Sequence, residues 1–290
     1  MNIFRTRGFS TVSLGCYQEK YMNNLLSFSS VKVDLFSKDN VRLKPASGFV
    51  VEVGNQYYLI TNWHAVSGGQ QEPGMKPHLL KASVHIQGGA GEKPAHFSMS
   101  VRKRITMQLY DDNGSPRWIE YRTNDDKQHP VDIVALPIQV DLALRLFRGN
   151  IPGINFDKGS WVEKTDYWRK VSAIPISAID TDVEYGPPDT VHVIGYPLGW
   201  QPEGADITSS AFWRTSFIAS EIYQPGTRRT DTFFIDPGAP EGMTGSPVIG
   251  MKDDRMKLLG VYSDLSTAEF GASAGLVYTA WLVKELIRTS

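Results

Sequence analysis

The sequence predicts an all-β fold of barrel or sandwich type. Two observations point there. Short runs of alternating or continuous apolar residues recur along most of the chain. Compact turn signals built on Gly, Asn and Asp separate many of them, while helical periodicity is confined to a few short segments.

Residues 1 to 30 are polar and aperiodic and read as an arm, with one short helix near Glu19 to Leu26. Val31, Val33 and Leu35 then alternate with Lys32 and Asp34, the period-two pattern of a half-buried strand, and Phe36 marks its end. Gly48 to Val53 and Tyr57 to Thr61 flank Gly54-Asn55, which gives a hairpin. Residues 67 to 95 are rich in Gly, Pro, Gln and Lys and read as a long surface loop around one short strand, Ala82 to Ile86. The basic triplet Arg102-Lys103-Arg104 lies between Val101 and Ile105 and reads as the wet stretch of an edge strand. Thr106 to Tyr110 and Arg117 to Tyr121 flank Asp112-Asn113-Gly114-Ser115, a second hairpin signal. Asp132 to Ile138 is a near-continuous apolar strand after its first residue.

Residues 139 to 190 mix a short helix with a Pro-rich connection, and the change from first to second half falls there. The expected division is an arm over 1–30, a first β unit over 31–150, a second over 151–278 and a terminal helix over 279–290. Strands follow at Val191 to Tyr196, Phe212 to Ser220, Thr232 to Ile235, Pro247 to Met251 and Leu258 to Ser263. In the last segment Trp281, Leu282, Leu286 and Ile287 share one helical face, with Lys284, Glu285 and Arg288 elsewhere.

Of the 290 residues 41% are apolar and 21% charged, with a net charge of -1 and no long run of one sign, which argues against a nucleic-acid-binding surface. No stretch approaches the ~18 apolar residues needed to span a bilayer. Cys16 is the one cysteine, so no intrachain disulfide can form, and with no signal-peptide core in residues 1 to 15 the expected setting is the cytoplasm. His78, His85, His96, His129 and His192 show no metal-ligand spacing, so neither metal nor cofactor is expected.

Three segments carry chemistry, and their order matters. Leu59 to Val66 places His64 in the turn after a strand, and histidine is the favoured general base near neutral pH. Val131 to Leu136 opens a buried strand with Asp132. Gly242-Met243-Thr244-Gly245-Ser246-Pro247-Val248 sets a hydroxyl between glycines, which let backbone amides turn inward. Histidine, acid, hydroxyl is one of the known chain orders of a nucleophile, base and orienter triad.

On these segments the chain resembles the trypsin/chymotrypsin family, above all its disulfide-free bacterial branches, the high-temperature-requirement proteases and glutamyl endopeptidases. Ser47-Gly48-Phe49-Val50, Val193 to Gly199 and Leu259-Gly260-Val261 match as well, in the family's order, over roughly residues 45 to 285. The resemblance implies a chymotrypsin-like double barrel, six strands in each, with a C-terminal helix and the active site between the barrels. It implies that His64 is the general base, that Asp132 orients it, and that the amides of Gly242 and Thr244 form the oxyanion hole. Ser263 then falls where the family places a serine bonded to the acid, and Ser263, Asp264 and Leu265 border an extended peptide. Asp236 stands near the wall of the specificity pocket and selects a basic side chain or caps its Asp-Pro-Gly turn.

The departure is Thr244, where the family carries its nucleophilic serine. Ser246 is an alternative nucleophile two residues on, set aside because related motifs carry a serine there that points away from the histidine. The expectation is an endopeptidase acting on protein or peptide through an acyl-enzyme. The alternative is an inactive relative that uses the cleft to bind a peptide or partner. The long loops 67–95 and 139–190 are candidate switches for a regulatory partner.

Overall fold

The computed structural model describes residues 26–69, 75–90, 99–122, 130–140, 146–147, 161–162, 167–179, 185–199, 211–222, 230–252, 255–263 and 274–288. The strands of the first half are β1 (Ser30–Ser37), β2 (Ala46–Val53), β3 (Gln56–Thr61), β4 (Pro77–Ala90), β5 (Met99–Gln108), β6 (Ile119–Arg122) and β7 (Pro130–Ile138), with the one-turn helix α1 (Trp63–Ser67) after β3. The connection holds β8 (Leu146–Phe147), β9 (Trp161–Val162), β10 (Tyr167–Val171) and β11 (Ile174–Pro175). The second half holds β12 (Thr190–Gly195), β13 (Phe212–Ile218), β14 (Thr232–Asp236), β15 (Pro247–Lys252), β16 (Arg255–Ser263), β17 (Gly275–Thr279) and then α2 (Ala280–Arg288).

The second half closes into a six-stranded barrel in the order β12-β13-β14-β17-β16-β15. The first half is a nine-stranded sheet along β10-β4-β1-β2-β3-β7-β6, with β5 on β4 and β11 on β2. Among the described residues no strand ladder closes it. The stem of the β5–β6 hairpin bridges the gap, through Tyr110 opposite Pro116 and Arg117 N donating to Leu109 O at 2.9 Å. The mostly-β, chymotrypsin-like architecture with a C-terminal helix is therefore present, as a closed six-stranded barrel, a second sheet and α2.

Alternation made most strands legible, and the differences have local causes. β4 is fourteen residues long where only Ala82 to Ile86 was expected, because Gly88 and Gly89 pair with Met99 on β5 and with Arg169 and Trp168 on β10. The loop expected over 67–95 shrinks accordingly. β1 continues past Phe36 to Ser37 through a bulge. The sheet of the first half also runs past residue 150, since β10 pairs with β4 and β11 runs parallel to β2. Most of the helix expected over Glu19 to Leu26 lies outside the described residues, as does Cys16.

Three apolar clusters fill the molecule. One lies in the first sheet around Val33, Leu59 and Leu80, and one in the second barrel around Val193, Phe233 and Val277. The third joins the halves: Phe49, Ile60 and Ile133 from the first meet Ile194, Ile249 and Leu258 from the second and Leu282, Val283 and Leu286 of α2. No described helix is long and apolar enough to cross a membrane.

One buried polar side chain sets a pH dependence. His85 on β4 is 5% exposed and stacks on Phe28 at 4.7 Å. Burial, and then the Arg102 charge, push its pKa from 6.5 down to about 4. The unfolded chain binds the proton that the folded chain refuses, so stability is complete above pH 6.5 and falls as the pH drops towards 4. Urea unfolding across that range should show His85 contributing a loss of up to about 3 kcal/mol, at about 1.4 kcal/mol per pH unit. His85→Leu should lack this part of the slope, and equal slopes in the two proteins would refute it.

Candidate active site

The first-half residues of the site follow from one strand register. Tyr57 to Thr61 of β3 pair antiparallel with Ile138 to Val134 of β7. Continued past Thr61, that register sets Trp63 opposite Asp132 and His64 beside it. Asn62 occupies the N-cap of α1, and Gly68, left-handed at φ 88, ends the helix with its amide on His64 O. The indoles of Trp63 and Trp118 both donate to Glu120 Oε2, at 3.0 and 3.1 Å, which ties α1 to β6.

Asp132 collects donors from both halves. His64 Nδ1 lies 2.9 and 2.8 Å from its two carboxylate oxygens, and the His64 amide donates to Oδ1 at 2.8 Å. Asn62 Nδ2 donates to Oδ2 at 3.2 Å and to the Asp132 carbonyl at 2.6 Å. Ser263 Oγ, from the end of β16, donates to Oδ2 at 2.8 Å. The side chain of Asp132 is 17% exposed and that of His64 44%. A carboxylate oxygen accepts, so Nδ1 is the ring nitrogen that donates in this pair. Tyr278 on β17 borders the pair. Its phenol is pushed up by burial and then by the Asp132 charge.

The 242–246 loop, between β14 and β15, lies against the first half. Ser47 N donates to Thr244 O at 2.9 Å and Ser47 Oγ to Gly242 O at 2.8 Å. Gly245 abuts Ser47 and Thr61, three residues before His64. Gly242 and Gly245 are both left-handed, at φ 89 and 90. Most polar groups of the loop backbone are paired: Gly245 N with Tyr262 O, Ser246 N with Met243 O, Met243 N with Pro240 O and Leu198 N with Glu241 O. Among the described residues the amides of Gly242 and Thr244 donate to nothing.

His64, Asp132 and Ser263 are thus brought into one hydrogen-bonded chain, with Thr244 in a loop held against the same strands. Among the described residues the Thr244 hydroxyl makes no hydrogen bond, to His64 or to any other group. Thr244 is 8% exposed, whereas Ser246 is fully buried over Gly195 and cannot receive a substrate. Asp236 ends β14 with an exposed side chain that makes no ion pair among the described residues. Asp264 and Leu265 lie outside them. Asn62, Tyr278 and Ser47 were not picked out individually from sequence. Asn62 had one available signal, its place between a strand end and the helix of His64.

The sequence profile of the trypsin-like peptidase domain matches residues 46–261, most of the chain. The chain belongs to the trypsin-like peptidase family. It is a serine-protease-like hydrolase, and protein or peptide is its substrate class. No curated protein matches this trypsin-like peptidase in sequence. Its structure is similar to the active form of the Rv3671c protease of M. tuberculosis, at 14% identity and a TM-score of 0.45, over 99% of this chain and 93% of that one. It is also similar to the HtrA-type protease AlgW with a tripeptide, at 12% identity and a TM-score of 0.43, over 92% of this chain and 62% of that one. For a serine endoprotease from Yersinia pestis the values are 13% and 0.43, over 98% and 67%.

The loop leaves no space at Gly245, where an added Cβ would sit 2.2 Å from Ser47 O, whereas Gly54 at φ 58 has open space around it. Gly245→Ala should therefore lose about 3 kcal/mol or more in thermal denaturation, from a clash added to a left-handed backbone. Gly54→Ala should lose only about 1 kcal/mol.

Proposed function

We propose that this trypsin-like peptidase is an endopeptidase that cleaves through an acyl-enzyme, with Thr244 as nucleophile. The observation that supports the reading most is the His64–Asp132–Ser263 chain. It holds the imidazole by Nδ1 against the carboxylate, beside a loop in which, among the described residues, the amides of Gly242 and Thr244 donate to nothing.

Thr244 Oγ attacks the carbonyl carbon of the scissile bond and its proton passes to His64 Nε2. The carbonyl oxygen takes up negative charge against the amides of Gly242 and Thr244. The tetrahedral centre collapses, the C–N bond breaks, and the imidazolium returns the proton to the leaving amine. A threonyl ester remains. Water, deprotonated by the same imidazole, attacks it, releases the acid product and restores the hydroxyl. Throughout, the Asp132 carboxylate holds the ring and stabilises its cationic form.

One observation favours a second reading, a cleft that binds peptide without cutting it: the Thr244 hydroxyl has no hydrogen bond to His64. The methyl of threonine stiffens χ1, and a displacement of ~1 Å at a reacting atom costs on the order of a hundredfold in rate.

The two readings separate on three variants. Thr244→Ser should raise kcat on a casein substrate by about ten- to a hundredfold, Thr244→Ala should abolish turnover, and Asp132→Asn should lower kcat by roughly 10⁴. A fluorophosphonate should label the parent at Thr244 by peptide mass spectrometry. No adduct, together with no turnover by Thr244→Ser, leaves the binding module as the function.

A further inference from the structure

Ser47 matched the family pattern in sequence, yet the reaction above gives it no step. It is fully buried on β2, in the first half, and its hydroxyl and amide both serve the second half. Oγ accepts from Tyr196 N at 2.9 Å and donates to Gly242 O at 2.8 Å, while its amide donates to Thr244 O at 2.9 Å. Its own carbonyl accepts from Thr61 Oγ1 at 2.8 Å, at the end of the strand that leads to His64.

The four successive peptide planes of the loop alternate in their use. The 241–242 and 243–244 planes carry the two amides without an acceptor. The 242–243 and 244–245 planes, interleaved with them, are the ones whose carbonyls Ser47 holds. A trans peptide points its C=O and N–H in opposite directions, so fixing every second plane limits how the planes between can rotate. The 241–242 plane has a further hold, because Leu198 N donates to Glu241 O at 2.7 Å. Leu198 follows Tyr196 by two residues, and the Tyr196 amide rests on the same Ser47 hydroxyl.

We propose that Ser47 is a positioning residue for catalysis: its hydroxyl and amide clamp the loop from the opposite half and keep the Gly242 and Thr244 amides turned into the cleft. The proposal rests on reading those two amides as the oxyanion hole. Serine suits the place because one small group must donate and accept at once. Gly195 leaves little room beside it, since an added Cβ there would come 2.8 Å from Ser47 Oγ. Ser246 supplies a matched control. It is equally buried, over the same glycine, and its hydroxyl has no hydrogen-bond partner among the described residues.

The test compares Ser47→Ala, Ser47→Cys and Ser246→Ala in the full chain, each also in a Thr244→Ser background. Steady-state casein hydrolysis gives kcat and KM, and a peptide boronate, whose adduct places an oxygen at the oxyanion site, gives an inhibition constant. Ser47→Ala should lower kcat about a hundredfold, shift KM less than threefold and weaken boronate inhibition by a factor similar to the fall in kcat. The pH profile should keep its shape, because the base is untouched. Ser47→Cys, a weaker donor, should fall between, and should report in place of Ser47→Ala if that variant does not fold. Ser246→Ala should stay within twofold of its parent. Lowered stability with unchanged kcat, or lowered kcat with unchanged boronate inhibition, overturns the proposal. A second readout needs no turnover. In protein labelled with ¹⁵N-glycine and ¹⁵N-threonine, the Gly242 and Thr244 amide resonances should broaden or move in Ser47→Ala and hold still in Ser246→Ala. If neither the parent nor Thr244→Ser hydrolyses anything, the peptidase reading falls, and these resonances alone decide the clamp.

Discussion

A carboxylate set between two β units is costly to desolvate, and the Asp132 side chain is mostly withdrawn from water. Its charge is tolerable there because four donor groups converge on two oxygens. Three come from the first half, the amide and ring of His64 and the amide group of Asn62, and the fourth is Ser263 Oγ of the second. Removing Ser263 from its place, or letting the halves part, would leave that carboxylate short of a partner in a partly dry site. The electrostatics of one residue therefore favour the docking of the two halves beside the 242–246 loop.

On the other side of the cleft the constraint is steric. Gly242 and Gly245 take left-handed angles that other residues adopt only at a cost, and each lies against backbone of a neighbouring segment, Gly242 against Leu198 and Gly245 against Ser47. The carbonyls of Glu241, Gly242 and Thr244 are committed to those neighbours, while among the described residues the amides of Gly242 and Thr244 donate to nothing. The loop is thus held on several sides by its own neighbours.

Much of this was legible in the sequence, and for physical reasons. Strands with one wet face, such as β1, and turns such as Gly54-Asn55 and Asp112 to Ser115 leave a local imprint, because side-chain alternation and backbone angles are set within a few residues. The pairing of His64 with Asp132 was legible through motif order, and that of Ser263 with Asp132 through the resemblance this order carries. What escaped depends on distant partners. The full length of β4 rests on pairing with β5 and β10 across glycines that look like loop. β17 was missed, yet it completes the barrel between β14 and β16. β10 and β11 carry the first sheet past residue 150, into the stretch that reads as a connection. Ser47, Asn62 and Tyr278 act through bonds to residues tens to hundreds of positions away, and a single sequence carries no local trace of such a bond.

The helix that follows β17 does more than end the second barrel. α2 packs against β6 and β7 of the first half as well as against β16, and its Leu282, Val283 and Leu286 belong to the cluster shared by both halves. Each half has a cluster of its own, and this third one joins them. A cluster shared in this way couples the two halves, so sheet and barrel should melt together in heat or denaturant rather than one after the other. The ability to cut would then disappear together with the fold, leaving little of the half-organised, indiscriminate hydrolase that two loosely joined lobes could produce.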